Sequence, residues 1–215
     1  MQEKNISIAG AGLVGSLLSL YLAKRGHKVE IFERRPDARK NLLDGGRSIN
    51  LALSDRGLQA LAKVGLEEKV LKEMAIPMYG RVMHSREGKL TYQPYGKEGQ
   101  AINSVSRAGL NMLMMDEAEK SGVKIHFSQA CAEVDLENAS AVYRNREGEE
   151  LKVESDLLFG ADGAFSAVRS VMQKTDRFSY SQEYIEHGYK ELEIPAGANG
   201  EFLLEKNALH IWPRG

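Results

Sequence analysis

The 215-residue sequence predicts an α/β fold that opens on a β-α-β unit with parallel strands, and three segments support this prediction. Asn5 to Ala9 alternates as a short buried strand does. Residues 13–25 carry large apolar side chains at the spacing of one helix face, and Gly26 stands where a helix is expected to stop. His27 to Glu33 has the pattern of a second strand, and a connection through a helix places the two strands in parallel.

The rest of the chain alternates between short helices and strands by the same criteria. Residues 34–50 are polar and contain glycine, which predicts a long loop of the kind that is usually functional or disordered. Further helices are predicted over residues 54–64, 67–74, 107–120 (capped by Ser106) and 164–173. Strands are predicted over residues 79–85 and 90–93 (a hairpin), 123–127, 131–136, 139–145 and 150–154 (the last three an antiparallel meander), 156–161 (buried), and 188–194, 201–204 and 208–212 (a second sheet).

Composition excludes several classes of protein. Apolar residues make up 42% and charged residues 27%, as in an ordinary globular protein, and a net charge of −1 argues against a nucleic-acid binder. Cys131 is the single cysteine, the five histidines are scattered, and no metal site is predicted. A reducing cytoplasmic location fits this cysteine usage best. The apolar stretch from Ile6 to Ala23 resembles a signal peptide, but its regularly spaced glycines and the basic residues that follow favour the β-α-β unit.

The first chemical motif is a GxGxxG segment, Gly10 to Gly15, between the first strand and the first helix. Gly10 permits a tight turn, Gly12 lets a pyrophosphate approach the backbone, and Gly15 lets the helix pack closely on the strand. The helix N-terminus then offers free N–H groups and a partial positive charge to phosphates. This arrangement predicts a Rossmann-like dinucleotide-binding domain.

Glu33 ends the second strand, 18 residues after Gly15, where a carboxylate can accept a hydrogen bond from a ribose hydroxyl. It favours FAD or NAD, because a 2′-phosphate would repel it. Arg34 and Arg35 follow directly and could instead meet a phosphate, so NADP stays open at this point. Together with Arg39 and Lys40, this basic run is equally compatible with a solvated loop.

The second motif is GADGAFSAVR, residues 160–169, in which Asp162 and Gly163 end a strand and precede a helix. A carboxylate so close to a core is costly unless it is hydrogen-bonded. Two interpretations remain open for Asp162: it meets a cofactor, or it simply caps the following helix.

A GxGxxG with a distal glutamate and a DG motif about 150 residues later resembles the flavin-dependent aromatic hydroxylases. Longer strings extend this resemblance over essentially the whole chain: GRSINLALSDRG (46–57), IPMYGRVMH (76–84), PYG (94–96), SVSR (104–107), YIEHGYKELEIP (184–195) and LHIWPRG (209–215). It implies an FAD-dependent monooxygenase with a Rossmann-like FAD-binding domain and the start of a mixed-sheet substrate domain. We place the FAD-binding domain in residues 1–75 and 101–180, and the substrate-domain strands in residues 76–100 and 181–215.

The resemblance also implies a reaction. NADPH reduces bound FAD, O2 adds at the flavin C4a position to give a hydroperoxide, and this species hydroxylates L-kynurenine to 3-hydroxykynurenine. The cofactor performs the chemistry while the protein positions the substrate and excludes water, so no catalytic side chain is predicted. The implied partners are therefore L-kynurenine, NADPH and O2.

The implied FAD contacts are spread over six segments. Besides Gly10, Gly12 and Gly15 they are Val14, Phe32, Glu33, Arg34, Arg35, Ala52, Arg107, Cys131, Asp162 and Gly163. Arg107 has independent support, because a cation in the first turn of a helix opposes the helix dipole by about 0.3–1 kcal/mol and an anionic ligand would offset this. A solvated arginine is the alternative there, and at the position of Cys131 the family often has an aliphatic residue.

The implied substrate contacts are Arg81 and Tyr95. A guanidinium can hold the carboxylate of an amino acid with two parallel hydrogen bonds. A tyrosine adds a hydroxyl and a ring that can face an aromatic substrate.

One motif of the family is absent: no GDA triplet occurs in the sequence. We therefore expect these residues to be the N-terminal part of a longer enzyme, to bind FAD weakly or not at all alone, and not to turn over. Two other functions stay open, an NAD(P)-dependent oxidoreductase with the same first β-α-β unit and a non-catalytic module that senses a dinucleotide.

Overall fold

The computed structural model describes residues 2–40, 49–97, 99–188, 190 and 192–213. The described helices are α1 (Leu13–Ala23), α2 (Asp55–Ala62), α3 (Glu67–Glu73), α4 (Arg107–Lys120) and α5 (Ala167–Met172). The described strands are β1 (Asn5–Ala9), β2 (Lys28–Glu33), β3 (Asn50–Leu53), β4 (Ile76–Met78), β5 (Gly80–His84), β6 (Leu90–Pro94), β7 (Ile102–Ser106), β8 (Lys124–Phe127), β9 (Ala130–Asp135), β10 (Ser140–Arg144), β11 (Glu150–Glu154), β12 (Leu157–Gly160) and β13 (Ala208–Ile211).

A four-stranded parallel sheet in the order β12-β1-β2-β8 forms the centre of the fold. Strands β1 and β2 are joined through α1, so the predicted parallel β-α-β unit is confirmed. All four strands run in the same direction, which brings their carboxyl ends to one edge of the sheet. Ligands of open α/β sheets bind at that edge.

One face of this sheet packs on helices. Ile6 and Ile8 of β1, with Val29 and Ile31 of β2, contribute alternate side chains to a buried cluster that also takes in residues of α1 and α4. Successive strand residues point to opposite faces, so the intervening residues are directed to the other side. The alternating apolar residues of β1 and β2 are thus those that face the helices.

The other face is covered by the antiparallel meander β9-β10-β11. Phe32 stacks on Tyr143 with ring centroids 4.0 Å apart, and both side chains are buried. The hydroxyl groups of Ser7 and Ser155 lie 2.9 Å apart and join β1 to the end of the meander. The predicted meander is confirmed, and it makes the parallel sheet the middle layer of three.

Two smaller sheets complete the fold, and one of them contributes Val105 to the buried helical cluster. Strands β5 and β6 form the predicted hairpin, and β13 adds to β5 in parallel. Strands β3 and β4 both pair with β7 in an antiparallel sheet that the sequence patterns did not predict. The pairing of β13 with β5 is compatible with the proposed domain division, which itself stays a prediction.

Four expectations need correction. The described residues of 188–194 and 201–204 form no strand, because their apolar side chains lie exposed without a neighbouring strand to pair with. The predicted helix over 164–173 begins only at Ala167, and β12 is a half-exposed edge strand and not a buried one. Within the predicted loop 34–50, residues 41–48 lie outside the described residues.

The described helices include none that combines the length and the apolar character needed to cross a membrane. The segment that resembles a signal peptide forms β1 and α1, whose side chains line the helical core.

The helical core yields a direct test of stability. Leu20 of α1 is 2% exposed, whereas Leu192 is 81% exposed. We expect Leu20→Ala to lower the free energy of unfolding by about 2–5 kcal/mol through lost burial and a cavity. The matched control, Leu192→Ala, should change it by no more than about 0.5 kcal/mol. Urea titration of both variants measures this, and equal effects would contradict the described packing.

Candidate functional site

A cleft of about 420 Å³ opens at the carboxyl edge of the parallel sheet. The ends of β1, β2 and β12, the turn before α1 and the first residue of α4 form its walls. Ten of the predicted cofactor residues line it: Gly10, Gly12, Phe32, Glu33, Arg34, Arg35, Arg107, Cys131, Asp162 and Gly163.

Close backbone packing fixes the glycine turn. Gly10 has a φ of +101°, and a Cβ atom there would lie 2.6 Å from the carbonyl oxygen of Ala161. A Cβ atom on Gly15 would collide with the carbonyl oxygen of Gly10. Gly12 differs, because a Cβ atom there would meet no protein atom within 4 Å. Gly10 and Gly15 therefore serve packing, whereas Gly12 keeps the space beside the cleft free.

Glu33 is bonded to the protein backbone at both of its carboxylate oxygens. Oε2 accepts a hydrogen bond from the Ala11 N–H at 2.9 Å, and Oε1 accepts one from the Arg35 N–H at 3.0 Å. The side chain thus ties the end of β2 to the glycine turn. Each oxygen has a second lone pair, so these bonds leave the carboxylate able to accept from a ligand hydroxyl.

Asp162 caps α5. Its Oδ1 accepts from the Ser166 hydroxyl at 2.6 Å and its Oδ2 from the Ala167 N–H at 2.6 Å. The Ser166 hydroxyl in turn accepts from the Arg169 N–H at 2.9 Å. Asp162 thus contributes to the cap as one of the two open interpretations expected, but it does so together with Ser166, and α5 starts at Ala167. A role for Asp162 in ligand binding stays a prediction.

Cys131 lies half-buried in the wall of the cleft. Burial, and then the negative charge of Asp162, raise the pKa of its thiol to about 11. The thiol is therefore protonated at neutral pH, which suits a packing or contact role and not that of a nucleophile.

Basic side chains give the cleft a positive rim. Arg34, Arg35 and Arg107 are exposed at its edge, and none of them forms an ion pair with another described residue. The position of Arg107 as the first residue of α4 confirms the predicted helix start. An anionic ligand would balance this charge.

Arg39 belongs to a separate network. Its guanidinium is 17% exposed and bonds the carboxylates of Asp37, Asp116 and Glu119. Hydrogen bonds to Asp37 and then to Glu119 hold the pKa of Arg39 above its usual range, and Arg39 in turn lowers the pKa of Asp37. Of the two interpretations of the basic run, Arg39 follows neither: it fastens the segment after β2 to α4.

Three predicted cofactor residues do not line the cleft. Gly15 packs under the turn, and Ala52 lies on β3 opposite Ser104. Val14, in the first turn of α1, leaves its side chain 70% exposed. Contact between a ligand and these residues stays a prediction.

The predicted substrate residues are in contact with each other and are not among the residues that line the cleft. Arg81 of β5 places its guanidinium carbon 5.1 Å from the centre of the Tyr95 ring. This is a cation–π contact between a group suited to carboxylates and an aromatic ring.

Sequence reasoning missed several residues of the cleft: Ala9, Gln129, Ala130, Ala161, Ala164, Phe165 and Ala167. The alanines contribute by their small size, which no local pattern marks. Phe165 is 85% exposed and lies within the recognised GADGAFSAVR segment, so that motif could have indicated it. Gln129 comes two residues after the end of β8, and the carboxyl end of β8 lies at the same edge of the sheet. No cluster of three potential metal ligands occurs in the part of the chain that the structure describes.

The parallel sheet, the glycine turn and the acid at the end of β2 define a dinucleotide-binding domain of the Rossmann type. A family model described as "FAD binding domain" matches residues 3–190, and the chain belongs to that family.

Two curated relatives align with this chain over its whole length. The kynurenine 3-monooxygenase of Myxococcus xanthus is 52% identical over 217 residues, which span 100% of this chain and 47% of that protein. The kynurenine 3-monooxygenase of Anopheles gambiae is 46% identical over 217 residues, or 100% of this chain and 44% of that protein. The chain thus spans about half the length of the curated relatives it matches.

Solved structures share the fold. A 2-methyl-3-hydroxypyridine-5-carboxylic acid oxygenase superposes with a TM-score of 0.63 at 25% identity, over 80% of this chain and 42% of that one. The flavin-dependent halogenase CmlS superposes with a TM-score of 0.62 at 25% identity, over 80% of this chain and 31% of that one.

The shifted thiol pKa predicts slow alkylation. At pH 8 we expect Cys131 to react with iodoacetamide roughly a hundredfold more slowly than an unperturbed thiol, because so little thiolate is present. Asp162→Asn should lower the pKa and accelerate the reaction, since it removes the nearby negative charge but keeps a capping oxygen. The rate as a function of pH measures both effects. An ordinary titration near pH 8.5 in the folded protein would contradict the described environment, and the unfolded chain provides the reference rate.

Proposed function

We propose that the chain holds FAD in the cleft and forms the flavin-binding part of an enzyme that hydroxylates L-kynurenine to 3-hydroxykynurenine with NADPH and O2. The observation that carries this proposal is the open space at Gly12, where a helix N-terminus meets a cleft with a basic rim. Membership of the FAD-binding family and the names of the relatives support the choice of cofactor and substrate.

The described residues fit FAD. Its pyrophosphate would lie at the N-terminus of α1, where Gly12 leaves room for close approach and the helix dipole favours negative charge. Arg34, Arg35 and Arg107 supply the counter-charge. Glu33 would accept from the ribose, and the half-buried wall at Cys131 would meet the adenine end.

When bound, FAD would supply hydride acceptance from NADPH and activation of O2. The residues of this chain bind and orient the cofactor and need not attack the substrate. Cys131 fits this division, because its protonated thiol is a poor nucleophile.

Arg81 and Tyr95 are the substrate-binding residues in this proposal. The guanidinium would hold the amino-acid carboxylate, and the ring of Tyr95, already in contact with Arg81, would border the aromatic part of the substrate. In this arrangement residues 1–75 and 101–180 form the FAD-binding domain. The strands within 76–100 and 181–215, where β13 pairs with β5, belong to the substrate domain.

Cofactor binding is tested at Gly12. We expect Gly12→Ala to raise the Kd for FAD at least tenfold, because the added methyl group occupies the approach of the pyrophosphate. The free energy of unfolding should change by about 1 kcal/mol or less, since no protein atom lies within 4 Å. Gly188→Ala is the matched control, because Gly188 is exposed and equally free of neighbours.

The measurement is the quenching of flavin fluorescence, with urea unfolding in parallel, on the natural chain that carries these residues. Tight FAD binding by Gly12→Ala would count against a pyrophosphate at this turn. A colourless wild-type protein that does not take up FAD would overturn the cofactor itself and favour a different dinucleotide.

Substrate recognition is tested at Arg81. A lost pair of charge-assisted hydrogen bonds costs about 1.5–3 kcal/mol, so we expect Arg81→Ala to raise the KM for L-kynurenine by roughly 10–100-fold. The flavin content should not change. Arg86→Ala, in the exposed turn of the same hairpin, is the control. NADPH oxidation against L-kynurenine concentration provides the measurement, and unchanged kinetics in Arg81→Ala would remove Arg81 from the substrate site.

A further inference from the structure

The two peptide groups that contain Ala11 are held from two sides of the fold. The Ala11 N–H donates to Glu33 Oε2 at the end of β2, at 2.9 Å. The Ala11 carbonyl oxygen accepts from Asn111 Nδ2 on α4, also at 2.9 Å. The Ser16 hydroxyl makes a longer bond of 3.2 Å to the same oxygen. The glycine turn is therefore fixed by two side chains that lie far from it in the sequence.

The contact to Asn111 determines where the next N–H points. Ala11 C=O and Gly12 N–H belong to one peptide group, and in a trans peptide these two bonds point in opposite directions. Because the carbonyl is directed at α4, the Gly12 N–H is directed away from α4. Gly12 lines the cleft, and no described residue accepts a hydrogen bond from its N–H.

The side-chain amide of Asn111 destabilises the fold. Asn111 Oδ1 is buried and has no hydrogen-bond partner among the described residues. An unpaired buried acceptor destabilises a protein, and an apolar side chain of similar shape would avoid the cost. Rotating the amide does not relieve it, because Oδ1 would then face the carbonyl oxygen of Ala11. Only the donor side of Asn111 is used, and it is used on the glycine turn.

We propose that Asn111 is a positioning residue that orients the Gly12 N–H toward the pyrophosphate of bound FAD. This inference rests on the proposed function. Ser16 does not replace it, since its hydroxyl belongs to α1 and follows the turn if the turn moves. Asn111 instead fixes the turn relative to α4, the helix that also carries Arg107 at the edge of the cleft.

Asn111→Leu separates this role from a purely structural one. We expect the Kd for FAD to rise about tenfold, or about 1.4 kcal/mol, because the Ala11–Gly12 peptide can rotate. The urea midpoint should change little: the unpaired Oδ1 is gone, and the Ala11 carbonyl oxygen, which loses Nδ2, keeps the Ser16 hydroxyl as a donor. Leu113→Ala on the same helix is the control: it removes packing in the helical core, so its midpoint should fall while its Kd stays near that of the wild type.

Asn111→Asp adds a readout that packing alone would not move. A protonated carboxyl can donate to the Ala11 oxygen, whereas a carboxylate cannot. The Kd of this variant relative to the wild type should therefore be near one at low pH and should rise as the carboxyl ionises. Quenching of flavin fluorescence across pH measures it.

The outcomes are distinguishable. If the wild type takes up FAD and Asn111→Leu binds it equally well, the positioning role is overturned and the proposed function stands. If affinity falls only in step with the urea midpoint, the role of Asn111 is structural and the inference also fails. If the wild type does not bind FAD, both the proposed function and this inference are overturned.

Discussion

The close approach of the glycine turn to the strands around it is the constraint on which the rest of the structure depends. Gly10 lies against the carbonyl of Ala161, and Gly15 lies against Gly10, so the start of α1 sits directly on the carboxyl ends of β1 and β12. A side chain at either glycine would push the helix away. That displacement would open the core between α1, the sheet and α4, and it would move the cleft walls at the same time.

The two carboxylates of the cleft accept hydrogen bonds from backbone N–H groups of the protein. Glu33 accepts from the Ala11 N–H in the glycine turn and from the Arg35 N–H after β2, and Asp162 accepts from the first turn of α5. Their charge is thereby partly satisfied inside the protein. Among the described residues that line the cleft, the three arginines form no ion pair and the Gly12 N–H has no acceptor, and these groups attract anions. The net charge of the whole chain, −1, does not reveal this local excess of positive charge.

The central layer was predictable from sequence because its signals are local. The strand of residues 5–9, the glycine spacing and Glu33 lie within 30 residues, and each has a pattern of its own. Strands β3, β4 and β7 were missed, since short strands are defined by partners far along the chain. The segment 188–194 was wrongly predicted for the same reason: its residues have strand character but no described strand pairs with them.

The candidate site likewise contains residues that the sequence predicted and residues that it did not. Ten predicted residues line the cleft because motif positions report backbone geometry, which the fold preserves. Asn111 carried no signal, since its contact with Ala11 spans 100 positions and nothing in a helix of mixed side chains distinguishes one asparagine. A motif specifies that the backbone at Gly12 is free to meet a ligand. The direction of its N–H depends on a helix that the motif does not include, so the anion site is a property of the packed domain and not of the glycine turn alone.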